Sequence, residues 1–481
     1  MGAYDYQLIV IGAGAGGLVL GIGGAKAGKK VLLIDKGTWG GDCTNFGCVP
    51  SKSLIAAAHA AHDMRNSESL GLKASVNHFD AKGAFERTRT IVKEIREHEE
   101  PDALSKHGVN TLTGKAHFVD PHTLEVDLKE GGTKRVTGDQ IIICTGSHPF
   151  IPPVEGLEDV PYLTNETVFD LEEAPESLLI FGGGPIGSEM AQAFHRLGSK
   201  VTQVQTHKHL LAREELESRE LIEQFFRKEG IDLALGFRPQ KVWQENGKIH
   251  ASMKNESGET IEKSATHLLV ATGRRASMDG LKLENAGIAH TKKGVIVDRL
   301  GRTSQKHIWA AGDITGEAPF THMAENAARR ILFNLLSPWP FKKKAPVPPV
   351  VPRVTYTDPE IAAVGMTEEE AIKIYGENKI ASYVVHFNEV DRAITTGRTE
   401  GLIKVVTKKW SSKILGATII GPRAGEMLLE ISTAMYGNIP LRKLADVIHP
   451  YPTYSQGVRK AADKWLSQTI LPALKKMVGK S

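Results

Sequence analysis

A buried strand runs into a GxGxxG turn and a small-residue helix near the N-terminus, the same unit recurs from Leu178, and the composition changes after Leu336. From these three observations the sequence predicts an α/β chain with two Rossmann-like dinucleotide-binding units and a C-terminal α+β domain. At 481 residues there is room for several separate cores.

In the first unit, Gln7 to Ile11 reads as a strand, Gly12-Ala13-Gly14-Ala15-Gly16-Gly17 as the turn, and the helix runs on to Gly28. Gly12, Gly14 and Gly17 permit a tight turn, close approach of a pyrophosphate and packing of helix on strand, with the helix N-terminus facing negative charge. Strand Val31 to Ile34 ends at Asp35, which is placed to accept hydrogen bonds from an adenosine ribose. Leu8 to Ala25 carries no charge, yet its seven glycines and the Asp5 ahead of it mark folded core, not a membrane span or signal peptide. A cytoplasmic location is the default expectation.

Gly40 to Lys52 reads GGDCTNFGCVPSK and holds two of the three cysteines. On spacing alone, Cys43 and Cys48 are either a redox-active pair or two reduced structural thiols. No second ligand pair accompanies them, so a resident metal is not expected. Three cysteines exclude a disulfide framework and point to a reducing compartment, where a surviving disulfide is catalytic.

The second unit has strand Leu178 to Phe181, a turn carrying Gly182, Gly184 and Gly187, and a helix ending at Gly198. Ile186, Met190, Ala193, Phe194 and Leu197 mark its buried stripe. After strand Val201 to Val204, Gln205 takes the offset that Asp35 has in the first unit. The missing acid, with His207, Lys208 and His209 just beyond, suits a 2′-phosphate, so NADPH is expected over NADH. Three further strands end in turns: Ile141 to Cys144 before Thr145-Gly146-Ser147, Leu268 to Ala271 before Thr272-Gly273-Arg274, and Ile308 to Ala311 before Gly312-Asp313. The first two close nucleotide domains, and Asp313 suits a sugar-like hydroxyl or, alternatively, a helix cap. Cys144 reads as a small hydrophobe.

Ser337 to Pro352 contains six prolines and reads as a linker. Strands Ser382 to Phe387, Gly401 to Val406 and Ile414 to Ile420 follow, with helices Gly425 to Tyr436 and Leu441 to Val447. A last helix from Gln456 is expected to pack Trp465, Leu466, Ile470 and Leu471 on its own core. The expected domains are residues 1–150, 151–275, 276–345 and 346–481. A net charge of +4, 41% hydrophobic and 24% charged residues describe a soluble globular protein with neither nucleic acid nor membrane as partner.

Together these features resemble the class I flavoprotein disulfide reductases, the family of dihydrolipoamide dehydrogenase, glutathione reductase and mercuric reductase. The resemblance extends from Gln7 to about Lys460. It implies FAD on the first unit, built from residues 1–150 and 276–345, and a nicotinamide on residues 151–275. It also implies a homodimer formed through residues 346–481 that completes each active site. Cys43 would meet the substrate and Cys48 would lie beside the flavin. Lys52 would approach flavin N5 and pair with Glu189, and Asp313 would hold the ribityl chain. Gly41, Thr145, Gly146, Ser147, Gly273 and Arg274 would border the cofactors, and Gly114 and Ala116 the adenine.

The family's His-x-His-Pro-Thr-x-x-Glu stretch is altered: Tyr451 replaces the second histidine and Gln456 the glutamate. A phenol with a pKa near 10 is a poor proton shuttle at neutral pH, and His449 is the nearest substitute. Pro-Tyr-x-Thr resembles mercuric reductase, in which the tyrosine helps to hold a soft metal ion between the thiols. The implied activity is transfer of electrons from NAD(P)H through FAD to Cys43-Cys48 and on to a metal ion or small acceptor. The alternatives are a dihydrolipoamide-dehydrogenase-like enzyme with altered acid/base residues and a catalytically weak flavoprotein scaffold.

Overall fold

The computed structural model of the protein describes residues 4–73, 79–347 and 350–479. Strand Tyr6–Ile11 lies parallel between Val31–Asp35 and Thr133–Ile143. Val109–Phe118 extends the sheet on one side and Ile308–Ala310 on the other. Side chains buried on both faces explain the uninterrupted apolar run Leu8 to Ile11. Because Ile308–Ala310 returns to this sheet from beyond the second nucleotide unit, Ile9 and Ile11 share one core with Ile308 and Ile314.

The second unit has four parallel strands in the order His267–Val270, Ser177–Phe181, Lys200–Gln205, Asp232–Leu235. Beside it an antiparallel sheet of Phe237–Glu245, Lys248–Asn255 and Thr260–Ala265 packs Val242, Ile249 and Ala251 against Leu179 and Phe181. The C-terminal sheet runs Pro352–Thr355, Glu360–Gly365, Ile414–Gly421, Leu402–Lys408, Ile380–His386, all antiparallel, backed by helices Ala424–Tyr436 and Gln456–Trp465.

Four local expectations are corrected. Pro352–Thr355 and Glu360–Gly365 are strands, and Glu368–Tyr375 is a helix opened by a Thr367/Glu370 capping box, none of which the pattern after the linker announces. The helix expected over Leu441 to Val447 is one residue shorter, a 3-10 helix over Leu441–Asp446. Ile186 is exposed, not part of the buried stripe, because it sits at the outer end of helix Pro185–Arg196. Leu466 and Leu471 are exposed as well: a π turn at Leu466–Ile470 precedes Pro472, which has no N–H to donate, and Thr469 is the last buried residue.

The three parts of the chain are locked by shared apolar and ionic contacts. Leu54, Ile55 and Ala58 of helix Cys48–Arg65 enter one core with Met190 and Phe194 and with Ile361 and Ile420. Lys404 of the C-terminal sheet, 4% exposed, reaches Glu217 (2.8 Å), Glu368 (2.7 Å) and Glu215 (3.3 Å). Burial works against its charge, but the hydrogen bonds to Glu217 and Glu368 outweigh it and hold the amine above the usual lysine range. Removing it strands buried Glu215 at a cost of about 3 kcal/mol. Lys404→Ala should therefore lower the thermal unfolding midpoint by several degrees, whereas Lys443→Ala, whose pair with Asp446 is solvent-exposed, should leave it unmoved.

Candidate active site

The thiol loop leaves strand Val31–Asp35 through Gly40 (φ 87°) and Gly41 (φ 67°). A Cβ on Gly41 would come within 2.6 Å of Gly14 Cα, so the loop can lie against the first glycine turn only with glycine there. Asp35 ties the two together: one carboxylate oxygen accepts from Ala13 N–H (2.9 Å), the other from Gly37 (2.8 Å) and Thr38 (2.6 Å). These bonds leave it only part of its capacity for a ribose.

Cys48 opens helix Cys48–Arg65, and Lys52 follows one turn later on the same side. Cys48 Sγ lies 3.5 Å from Thr321 Oγ1, at the start of helix Thr321–Leu336. Both cysteines are free thiols, Cys48 exposed and Cys43 half-buried. A hydrogen bond from Cys43, with help from Thr321 and the Lys52 ammonium, holds the Cys48 thiol down to about 6 against the effect of burial. The same bond and burial push Cys43 up. Both effects favour a thiolate on Cys48 with the proton kept on Cys43. Cys144 is buried and pushed up to about 12, and takes no part.

Lys52 Nζ meets Glu189 Oε2 at 2.7 Å. Glu189, 5% exposed, accepts with its other oxygen from Tyr356 N–H (2.9 Å), and the Tyr356 ring lies 4.5 Å beneath the Lys52 ammonium. The lysine is therefore held by the second nucleotide unit and by the C-terminal domain together. Sequence reasoning placed Lys52 and Glu189 but missed Tyr356 and Thr321. Neither carries a local signal, since each is brought in by another part of the fold.

A second network holds the thiol loop from behind. Asp42 pairs with Arg274 (2.9 Å) and accepts from Asn165 (3.1 Å). Arg274 also donates to Ser147 Oγ (2.7 Å), Ser147 O (2.9 Å) and Asn165 (3.2 Å), and Ser147 Oγ donates to Asp313 (2.5 Å). Thr145 and Gly146 bond to Ser277, and Gly273 O accepts from Phe150 N–H, so the two turns clasp each other where the units meet. Arg274 here positions protein groups. Asp313 keeps its second oxygen free of protein donors among the described residues, and it opens a 3-10 turn instead of capping helix Thr321–Leu336, whose cap position is Phe320.

The two glycine turns repeat each other. A Cβ on Gly12 would meet Cys144 O at 2.3 Å and one on Gly182 would meet Ala271 O at 2.2 Å. Gly17 and Gly187 press on the carbonyls of Gly12 and Gly182, while Gly184 faces open space and a Cβ on Gly14 would meet Gly41 Cα at an ordinary 3.7 Å. Neither following helix has a side-chain cap, which leaves N–H donors for an anion. Gly114 and Ala116 lie in strand Val109–Phe118, paired with Leu128 and Val126. Beyond the second turn, Gln205 bonds to Thr206 N–H and His209 pairs with Glu223 (3.1 Å), while His207 and Lys208 are exposed there.

Tyr451 and His449 find their partners within the C-terminal domain. Tyr451, 70% exposed, donates to Asp391 (2.9 Å), a bond that keeps the phenol protonated. His449 has both ring nitrogens engaged, by Val447 O (2.8 Å) and Glu430 (2.9 Å).

With the Cys48 thiol held down to about 6, its thiolate should persist at neutral pH in the reduced protein and be lost as pH falls through that value. Lys52→Met and Cys43→Ala should each move this titration upward toward the ordinary thiol value of about 8.5. Thiolate absorbance or the pH profile of Cys48 alkylation reads the shift, and an unmoved profile in both variants would contradict the assignment.

Residues 6–328 match the family described as pyridine nucleotide-disulphide oxidoreductase, and residues 351–462 match its dimerisation domain. Mercuric reductase of Streptomyces lividans is 35% identical over 464 residues, 96% of this chain and 96% of that one. Dihydrolipoyl dehydrogenase of Thermus scotoductus is 34% identical over 479 residues, 97% of this chain and 98% of that one. Among solved structures, the Cu(II) complex of the HOCl-induced flavoprotein disulfide reductase RclA from Escherichia coli has a TM-score of 0.85 at 28% identity, covering 96% of this chain and 99% of that chain. The chain belongs to the pyridine nucleotide-disulphide oxidoreductase family and is an FAD-containing, NAD(P)H-dependent oxidoreductase.

Proposed function

We propose that this enzyme uses NADPH to reduce a soft acceptor at Cys43 and Cys48, with a thiophilic metal ion as the preferred class, in the manner of its mercuric reductase relatives. The observation that carries this reading is the accessible Cys48 thiolate beside Cys43, on a chain whose Tyr451 and Gln456 replace a proton-shuttling pair. Two sulfurs offer a soft donor set, and a metal-ion acceptor needs no general base to deprotonate a dithiol.

The first glycine turn fits FAD. Gly14 and Gly41 leave no Cβ over the uncapped helix Ala15–Lys26, and Asp313 keeps an oxygen for a hydroxyl. Bound there, FAD supplies the two-electron relay between NAD(P)H and the disulfide. Lys52 places a fixed positive charge at the inner face of the thiol loop, where transferred electrons leave negative charge. Glu189 and Tyr356 keep it aimed. Gly184 and the uncapped helix Pro185–Arg196 receive the nicotinamide's pyrophosphate, and His207 and Lys208 favour a 2′-phosphate.

Tyr451 would serve the partner subunit's thiols in a homodimer. Its exposure, with that of Ile448, Tyr436 and Leu429 in the same domain, supports an interface there. A dihydrolipoamide-dehydrogenase-like activity is the second reading, favoured by the end-to-end match to that enzyme.

Three outcomes test this function. The NADPH-reduced holoenzyme should be reoxidised at catalytic rates by Hg(II) or Cu(II) and slowly by lipoamide, and fast lipoamide turnover would select the second reading. NADPH should exceed NADH in kcat/KM, and parity would remove the 2′-phosphate assignment. Tyr451→His should raise lipoamide turnover by about 10²-fold by restoring a proton shuttle, while lowering metal-ion turnover.

A further inference from the structure

The C-terminal helical run continues past the matched dimerisation domain, which ends at residue 462. It is rooted on the body by Lys464, which donates to Val384 O (2.7 Å) and pairs with Glu389 (3.0 Å), by the Trp465 indole on Lys409 O (3.0 Å) and by Thr469 against the buried Tyr383 hydroxyl (2.6 Å). Beyond Thr469 no residue among those described is buried. Leu466, Leu471, Leu474, Met477 and Val478 are 49%, 45%, 49%, 82% and 69% exposed. Their spacing of i, i+5, i+8, i+11 and i+12 places them along one side of the helix, opposite the side on which Thr469 is anchored. Lys475 borders this stripe and Lys476, seven residues from Thr469, lies on the opposite side; beyond Trp465 the sequence has three lysines and no acidic residue. Trp410, 61% exposed, follows the Lys409 carbonyl that takes the Trp465 indole, so an amphipathic ring lies at the arm's root.

We propose that this arm lies on the surface of an anionic phospholipid bilayer, with Leu466, Leu471, Leu474, Met477 and Val478 entering the acyl boundary, Lys475 at the stripe's border meeting headgroup phosphates and Lys476 adding to the attraction from the far side. The argument is one of matching chemistry. An apolar stripe on an arm whose only charges beyond Trp465 are cations fits the interface of a negatively charged membrane, where each lysine adds to the attraction and a tryptophan prefers the headgroup level. The arm is a surface element and not a span, since no described helix is long and apolar enough to cross a membrane. This revises the expectation that the chain has no membrane partner, and it is independent of which acceptor the thiols serve.

The test is co-sedimentation of the FAD-loaded protein with vesicles of phosphatidylglycerol and phosphatidylcholine, beside vesicles of phosphatidylcholine alone. Binding should be strong to the first, weak to the second, and reduced by salt. The double variant Lys475→Glu, Lys476→Glu should lose roughly 30-fold or more in partitioning, and Leu474→Asp should lose binding at either salt. Both should keep wild-type NADPH-dependent ferricyanide reduction, which shows that they are folded. Absence of wild-type sedimentation, or sedimentation unchanged in both variants, would overturn the proposal. So would a dimer that falls to monomer in Leu474→Asp by sedimentation velocity, because the stripe would then be covered by a second copy of the chain.

Discussion

The contact on which the site depends is the ion pair between Lys52 and Glu189. The lysine is on the helix that begins with Cys48, and the glutamate is on the helix that follows the second glycine turn. One bond of 2.7 Å thus fixes the distance between a thiol pair and a nicotinamide-binding unit. A carboxylate buried to 5% exposure would be costly alone; here each of its oxygens has a donor, one from Lys52 and one from the Tyr356 backbone. The same arrangement sets the electrostatics of Cys48, since the ammonium that satisfies Glu189 also favours the thiolate.

Both glycine turns, the thiol stretch and the pairing of Lys52 with Glu189 are legible in the sequence, because their determinants are short-range spacings or a recognisable family pattern. What is not legible is what arrives from elsewhere in the chain. Thr321 reaches Cys48, and Tyr356 reaches Lys52, only after the strand Ile308–Ala310 and the C-terminal sheet have docked. Arg274 shows the limit from the other side. Its TGR turn reads as a cofactor edge, yet the guanidinium is engaged by Ser147, Asn165 and Asp42, partners far apart in sequence. In the C-terminal domain the edge strand Pro352–Thr355 is too short and proline-bordered to stand out from the linker before it. The last helix shows the converse error: an apolar periodicity identifies a face but not what covers it, and Leu466 and Leu471 remain open.

The reactive centre is accordingly divided among elements with different tasks. The glycine turns provide backbone donors and empty space, the thiol loop provides the sulfurs, and the helix Cys48–Arg65 aligns them with the lysine. Behind the loop, Asp42, Arg274, Ser147 and Asp313 form an unbroken chain from the cysteine stretch to the strand end that closes the first sheet. A displacement of Asp42 is therefore felt at Asp313 without passing through the sulfurs.

The ionic seams between the parts bear on modularity. The second nucleotide unit contributes Glu189 to Lys52, Arg196 to Asp358, and Glu215 and Glu217 to Lys404, all across its borders and all with at least one partner nearly inaccessible to water. A nicotinamide unit from a relative cannot simply be exchanged for this one: a graft lacking Glu189 would leave Lys52 without its carboxylate, and one lacking Glu215 and Glu217 would leave buried Lys404 with Glu368 alone. Substitution near Gln205, at the C-terminal end of strand Lys200–Gln205, leaves these seams intact, whereas transplanting the unit whole does not.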